Sequence, residues 1–100
     1  MYQVYILECA DGTLYTGIAI DADQRLLLHN RGRGAKYTKG RLPVRLRYRE
    51  TCADKGDALR RELQIKALSR ERKLSLIAHF EGRPTDGEYA GSLGNPFIAR

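Results

Sequence analysis

Tyr2-Gln3-Val4-Tyr5-Ile6-Leu7-Glu8-Cys9-Ala10-Asp11-Gly12-Thr13-Leu14-Tyr15-Thr16-Gly17-Ile18-Ala19-Ile20 is the stretch whose reading decides the fold. Apolar and polar residues alternate on either side of Asp11-Gly12, which predicts a β-hairpin with strands near 2–9 and 13–20. The length of the loop sets the register. A two-residue loop, Asp11-Gly12, would pair Ala10 with Thr13 and Tyr5 with Ile18, and would send Tyr5 and Tyr15 to opposite faces. A three-residue loop, Ala10-Asp11-Gly12, makes Gly12 the left-handed residue after a type I turn. It pairs Cys9 with Thr13, Leu7 with Tyr15 and Tyr5 with Gly17. Both phenols then share a face as diagonal neighbours, and Gly17 leaves open space opposite Tyr5. We expect the three-residue loop.

Downstream, Asp21 is a good N-cap for a helix over about 22–30, with Asp23 well placed in the first turn. Arg31-Gly32-Arg33-Gly34 ends that helix, because glycine accepts the left-handed conformation found at helix C-termini. A basic loop runs on to Pro43. Val44, Leu46 and Tyr48 alternate with Arg45, Arg47 and Arg49, which predicts a third strand with one wet face. Asp54 or Asp57 caps a second helix over about 55–67, and Ser69 caps a third over about 70–80, with Leu74, Ile77 and Ala78 facing inward. From Glu81 the pattern changes: Gly82, Pro84, Gly87, Gly91, Gly94 and Pro96 punctuate a tail without period. The expected architecture is α+β, a small, mostly antiparallel three-stranded sheet with flanking helices in the order ββαβαα, occupying residues 1–80, with an irregular tail over 81–100.

One hundred residues are enough for one small core. Met1 is followed at once by a strand pattern rather than by a signal sequence. No apolar stretch approaches the roughly 20 residues of a membrane helix. A cytoplasmic protein with no membrane partner is the expectation, as a monomer or weak homo-oligomer. Cys9 and Cys52 stand singly, without the paired spacing of a zinc site, and read as reduced thiols at strand ends.

The net charge of +6 is concentrated. Arg31, Arg33, Lys36, Lys39, Arg41, Arg45, Arg47 and Arg49 lie in a stretch with no acidic residue before Glu50. The expected partner of such a patch is a polyanion. Tyr37 and Tyr48 interleave with it and are candidates for stacking on bases. The other reading is a solvated basic surface without specificity.

Two helices add chemistry. Arg25 and His29 share one face of the first, four residues apart, and a guanidinium there suits a phosphate. In the second, Ala58, Leu59, Leu63 and Ile65 outline an apolar sector, with Arg60, Arg61 and Gln64 opposite. Glu62 falls inside the apolar sector with Lys66 beside it. It is either an i, i+4 ion pair or a carboxylate that holds Mg²⁺ together with waters and a substrate phosphate.

Taken in order, Val4-Tyr5-Ile6, Tyr15-Thr16-Gly17, Arg25, His29 and Glu62 resemble the GIY-YIG nuclease family. The run Gly32-Arg33-Gly34-Ala35-Lys36-Tyr37-Thr38-Lys39-Gly40-Arg41 is similar to its small stand-alone, YhbQ-like bacterial branch, as are Leu59-Arg60-Arg61-Glu62 and Lys66-Ala67-Leu68-Ser69-Arg70. The resemblance implies a phosphodiester hydrolase acting on DNA, or RNA, with Mg²⁺ or Mn²⁺ as cofactor, structure-selective and engaged in repair or nucleic-acid turnover. It implies that Tyr5 helps to deprotonate the attacking water and that Tyr15 orients water or phosphate. Arg25 stabilises the developing charge, His29 assists and Glu62 holds the metal. Arg33, Lys36, Tyr37, Thr38, Lys39 and Arg41 are the expected contacts to the nucleic-acid backbone, mainly on charge.

The first motif departs from Gly-Ile-Tyr, and Thr16 stands where the second has isoleucine. Asn95, in the tail, is a further candidate for the site. Two rival readings remain open: a nucleic-acid-binding module with little or no hydrolysis, and a protein-interaction domain with an incidental basic surface.

Overall fold

In the computed structural model, residues 1–81 are described; the tail from Gly82 and Asn95 within it lie outside them. Two strands open the chain, β1 (Tyr2–Glu8) and β2 (Leu14–Ala19). The turn between them has the three-residue form. Gly12 donates to the Cys9 carbonyl at 2.9 Å and sits at φ 86°, and Cys9 N–H bonds the Thr13 carbonyl. The Asp11 carboxylate takes hydrogen bonds from the Thr13 amide and hydroxyl and holds the turn closed. Leu7 therefore pairs with Tyr15 and Tyr5 with Gly17, as expected.

Helix α1 (Ala22–Asn30) is capped by Asp21, whose carboxylate accepts from the amides of Asp23 and Gln24. It ends in a Schellman arrangement: Gly32, at φ 75°, donates to the His29 carbonyl, and Arg33 donates to that of Leu28. The basic loop holds an element absent from the sequence reading, the short helix α2 (Lys36–Lys39). Next come β3 (Arg45–Cys52), α3 (Lys55–Lys66) capped by Asp54, and α4 (Arg70–Phe80) capped by Ser69.

The sheet is wholly antiparallel, in the order β2-β1-β3, so that β1 is central and β2 and β3 are edges. One face carries Val4, Ile6 and Tyr48 under Ala58 and Ile65 of α3 and Leu76 and Ile77 of α4. The other carries Tyr5 and Leu7 with Ala22 of α1 and Val44. Cys9 and Cys52 are free, buried thiols.

Three expectations are corrected. The alternation Val44, Leu46, Tyr48 does not mark one face. A β-bulge pairs Ile6 with Tyr48 but Leu7 with Leu46, leaving Arg47 as the extra residue. Tyr48 thereby turns into the α3–α4 core, and Leu46 joins the opposite cluster.

On α3, Leu59 and Leu63 are exposed, Leu63 by 67%. Arg61 leans inward instead, because the Glu50 carboxylate on β3 meets its guanidinium at 2.9 Å. The same carboxylate accepts from the Tyr48 hydroxyl at 2.5 Å. On α4, Leu74 is exposed and Leu76 is buried in its place. Phe80 meets the Tyr48 ring edge-on at 5.3 Å.

Candidate active site

Tyr5 lies at the centre of the cluster of candidate residues. It lies on the middle strand between Gly17 of β2 and Arg49 of β3, and is 99% buried with only 1% exposed. The space over Gly17 is not open, contrary to expectation. The Tyr5 phenol fills it: a Cβ on Gly17 would lie 2.7 Å from the Tyr5 hydroxyl and 3.0 Å from the Tyr15 ring. Burial and the neighbouring Tyr15 push the Tyr5 pKa up to about 12, against the pull of Arg25, and Glu62 adds to the rise. Tyr5 is a neutral phenol at physiological pH.

Its hydroxyl lies 3.2 Å from Nε2 of His29, a fully buried side chain in the last turn of α1. Burial and the Arg25 charge both hold His29 below its usual pKa, so the imidazole is neutral. Thr38 sets its tautomer. The Thr38 hydroxyl is 2.9 Å from the Ala35 carbonyl, which can only accept, and 2.8 Å from His29 Nδ1. Thr38 gives its one proton to the carbonyl and takes Nδ1–H in return; the reverse would leave two oxygens facing each other without a proton. The Ala35 amide also points at Nδ1, but at 3.4 Å it is much the longer of the two contacts, and the 2.8 Å contact to Thr38 outweighs it. Nε2 is then an acceptor, and Tyr5 donates to it.

This assigns Thr38 differently from the sequence reading. It is fully buried on α2 and orients His29, whereas its neighbours Lys36, Tyr37 and Lys39 are exposed. Gly34, read as part of a helix end and of the run similar to the small branch, is needed for close approach. A Cβ there would lie 2.2 Å from His29 Nδ1 and 2.5 Å from its Cγ. No local pattern announces this, since the ring comes from the preceding helix.

Around this pair the other candidates assemble. The Tyr15 ring is 6.4 Å from that of Tyr5 and 5.3 Å from that of His29, so the two phenols do share a face. Tyr37 stacks on Tyr15 at 6.0 Å, and Arg41 covers Tyr37 at 4.0 Å while bonding the Tyr37 carbonyl and Asp11. The charges of Arg25 from α1 and Glu62 from α3 both reach the Tyr5 hydroxyl. Arg25 lines an open hollow of about 440 Å³ with Lys55, Gln24, Tyr2 and Ile18.

Glu62 is 16% exposed at its side chain and pairs with Lys66 at 3.2 Å. Among the described residues no group of three or more His, Cys, Asp or Glu side chains converges to hold a metal ion. The donors therefore do not fit a closed cage. They fit a hard cation such as Mg²⁺, bound through one carboxylate and completed by water and a substrate phosphate.

The basic stretch divides. Arg41 pairs with Asp11, Arg45 and Arg47 with Glu8, Arg47 also with Glu81, and Arg49 with Asp23. Tyr48 is buried, bonded to Glu50, and unable to stack on a base. Arg31, Arg33, Lys36 and Lys39 are exposed, and none has an ion pair among the described residues.

A β-hairpin that sets two phenols beside a helical arginine and histidine and a carboxylate from a later helix defines a class. The GIY-YIG catalytic domain matches residues 1–75, and the chain belongs to the GIY-YIG family, a family of nucleases that bind nucleic acid. Its relatives include UPF0213 proteins of Staphylococcus saprophyticus, 52% identical over 77% of this chain and 94% of the relative, and of Halobacterium salinarum, 53% identical over 77% of this chain and all of the relative. The solution NMR structure of the UPF0213 protein from Bacillus halodurans shares the fold, with 46% identity and a TM-score of 0.52 over 79% of this chain and 85% of that one. A protein of E. faecalis, also solved by NMR, matches with 30% identity and a TM-score of 0.55 over 88% of this chain and 94% of its own. No described helix is long and apolar enough to cross a membrane.

Proposed function

We propose that this protein is an endonuclease that hydrolyses phosphodiester bonds in DNA with a divalent cation, Mg²⁺ or Mn²⁺, acting in the cytoplasm in repair or nucleic-acid turnover. The observation that carries the reading is the convergence on one phenol: Tyr5 touches His29 and stands in the fields of both Arg25 and Glu62. At a pKa near 12 the phenol is not ionised in advance of reaction. A water beside Tyr5 gives its proton to the phenol oxygen as the Tyr5 proton passes to Nε2 of His29, which Thr38 holds as an acceptor.

The water oxygen bonds phosphorus as the bond to the leaving oxygen breaks. Tyr15 orients the phosphate, and the Arg25 guanidinium balances charge gathering on its oxygens. A divalent cation at Glu62 would supply Lewis-acid stabilisation to the leaving oxygen. Arg33, Lys36, Tyr37 and Lys39 hold the flanking backbone, with Arg41 behind Tyr37.

Glu62→Ala and Arg25→Ala each abolish Mg²⁺- or Mn²⁺-dependent cutting of labelled linear, flapped and branched oligonucleotides while the circular dichroism spectrum is unchanged. Either variant cutting like wild type overturns the mechanism. One observation favours a rival, a binding module without hydrolysis: Lys66 already engages Glu62. Wild type that binds these substrates but leaves them whole, with metal and without, selects that rival.

A further inference from the structure

We infer that the hollow at the start of β2 is a binding site for one unpaired nucleotide next to the scissile phosphate, so that the substrate is nucleic acid opened on that side. This rests on the nuclease reading and names its substrate class.

The hollow holds about 280 Å³ and is lined by Leu14, Tyr15 and Thr16 of β2, Tyr37 of α2, Lys66 of α3 and Lys73 of α4. Four elements contribute, and none of its lining residues is acidic. Leu14 and the two tyrosines offer apolar and aromatic surface; Lys73 offers a cation, with Lys66, paired to Glu62, beside it. Lys73 is partly buried and has no ion pair among the described residues. Aromatic surface beside ammonium groups is the chemistry that takes a planar base carrying a phosphate.

Thr16 supplies a second, independent observation. It is 4% exposed, and its Oγ1 is buried without a hydrogen-bond partner. A polar group left in that state costs stability, whereas valine of the same shape would not. No internal bond holds its χ1, so the side chain is free to take another staggered well and present the oxygen to a ligand in the hollow it lines. The threonine serves no internal bond, and a ligand in the hollow would give it one.

Size limits what enters. The volume lies at the small end for ligand sites and suits a single nucleotide rather than a base pair. A base stacked and paired in a duplex would have to leave the stack to reach it. Tyr15 belongs both to this hollow and to the cluster around Tyr5, which places the nucleotide beside the reacting phosphate. The exposed cations of the basic loop line no part of it.

The test uses the whole chain in chelator, so that nothing is cut, and follows fluorescence anisotropy of a labelled single strand and of the duplex of the same sequence. Thr16→Val and Lys73→Ala each weaken single-strand binding, together by about tenfold, and leave duplex affinity unchanged. One abasic position along the single strand weakens wild-type binding to a similar degree and has no further effect in the double variant. Thr16→Val melts at or above the wild-type temperature, which separates lost binding from lost folding. Equal weakening of single strand and duplex, or no weakening of either, overturns the inference. If wild type binds neither strand form, the nuclease reading falls with it. If metal-dependent cleavage is found and both variants bind like wild type, only the nucleotide site falls.

Discussion

The hydroxyl of Tyr5 lies 2.7 Å from the point where a Cβ on Gly17 would sit, so the glycine and the phenol share one volume across two paired strands. Strand geometry at Gly17 suits any residue; the neighbour is what demands glycine. Gly17→Ala therefore displaces the Tyr5 ring at a cost of about 1–3 kcal/mol, typical of overpacking. Thermal melts should show a folded protein of lower Tm, and single-turnover assays a loss of cleavage larger than that stability change explains. Gly34→Ala, whose Cβ would lie 2.2 Å from His29 Nδ1, should be the more damaging of the two.

The Tyr5–His29 pair fixes the sign of the pH dependence. His29 has its pKa below the usual 6.5 because of burial and Arg25, and it must be neutral to accept the Tyr5 proton. Cleavage should stay level through neutral pH and fall only below about 6.5. It should show no alkaline fall before about pH 10, since the Tyr5 pKa is near 12. The contribution to stability runs the same way on the acid side: the folded state disfavours the imidazolium, so stability is lost as pH falls below 6.5 through the folded pKa. Removing the charge at Arg25 raises the His29 pKa, which an NMR titration of the imidazole protons reads directly.

Glu50 joins Tyr48 and Arg61 on the α3–α4 side of the sheet, with only 13% and 19% of the Glu50 and Arg61 side chains exposed. Glu50→Ala takes a carboxylate from both partners and should cost about 3 kcal/mol in urea unfolding. Adding Arg61→Met should recover part of that loss. Nucleic-acid binding in the Glu50 variant, measured well below its unfolding midpoint, should match wild type.

Paired and unpaired cations should differ in salt dependence. Arg33→Ala and Lys36→Ala, at exposed cations, should each lower the slope of log K against log salt by about 0.9 for duplex DNA. Arg49→Ala should lower it less, because Asp23 already neutralises that guanidinium. Anisotropy titrations between about 50 and 200 mM salt measure the difference.

How far the sequence could be read depended on how local the determinant was. Gly12 after Asp11 is a local instruction for a tight turn; it fits either loop length, and the structure takes the expected three-residue form, which brings Tyr5 and Tyr15 to one face. The caps at Asp21, Asp54 and Ser69 likewise act within three residues of themselves, and all three helices start where those residues place them. Glu62 is a mostly covered carboxylate, as expected, but Leu59 and Leu63, half of the apolar sector that suggested it, are exposed. Arg61 was misread because the residue that draws it in, Glu50, lies on another element. The parity of Leu46 and Tyr48 was misread because the bulge at Arg47 depends on pairing with β1.

By itself, the sequence determined the order of the three strands and the three longer helices, the hairpin turn at Gly12, the family to which the chain belongs and the short set of side chains that carry its candidate chemistry. Only the tertiary structure decided which of them act on one another. It placed the phenol over Gly17, put Thr38 behind His29 and so chose its tautomer, and neutralised half of the basic stretch with carboxylates from distant positions. Turns and caps are settled by a few adjacent dihedral angles and hydrogen bonds, which a local stretch of sequence carries. Proton positions, pKa shifts and charge pairing depend on burial and on distances between elements, and these exist only once the chain has packed.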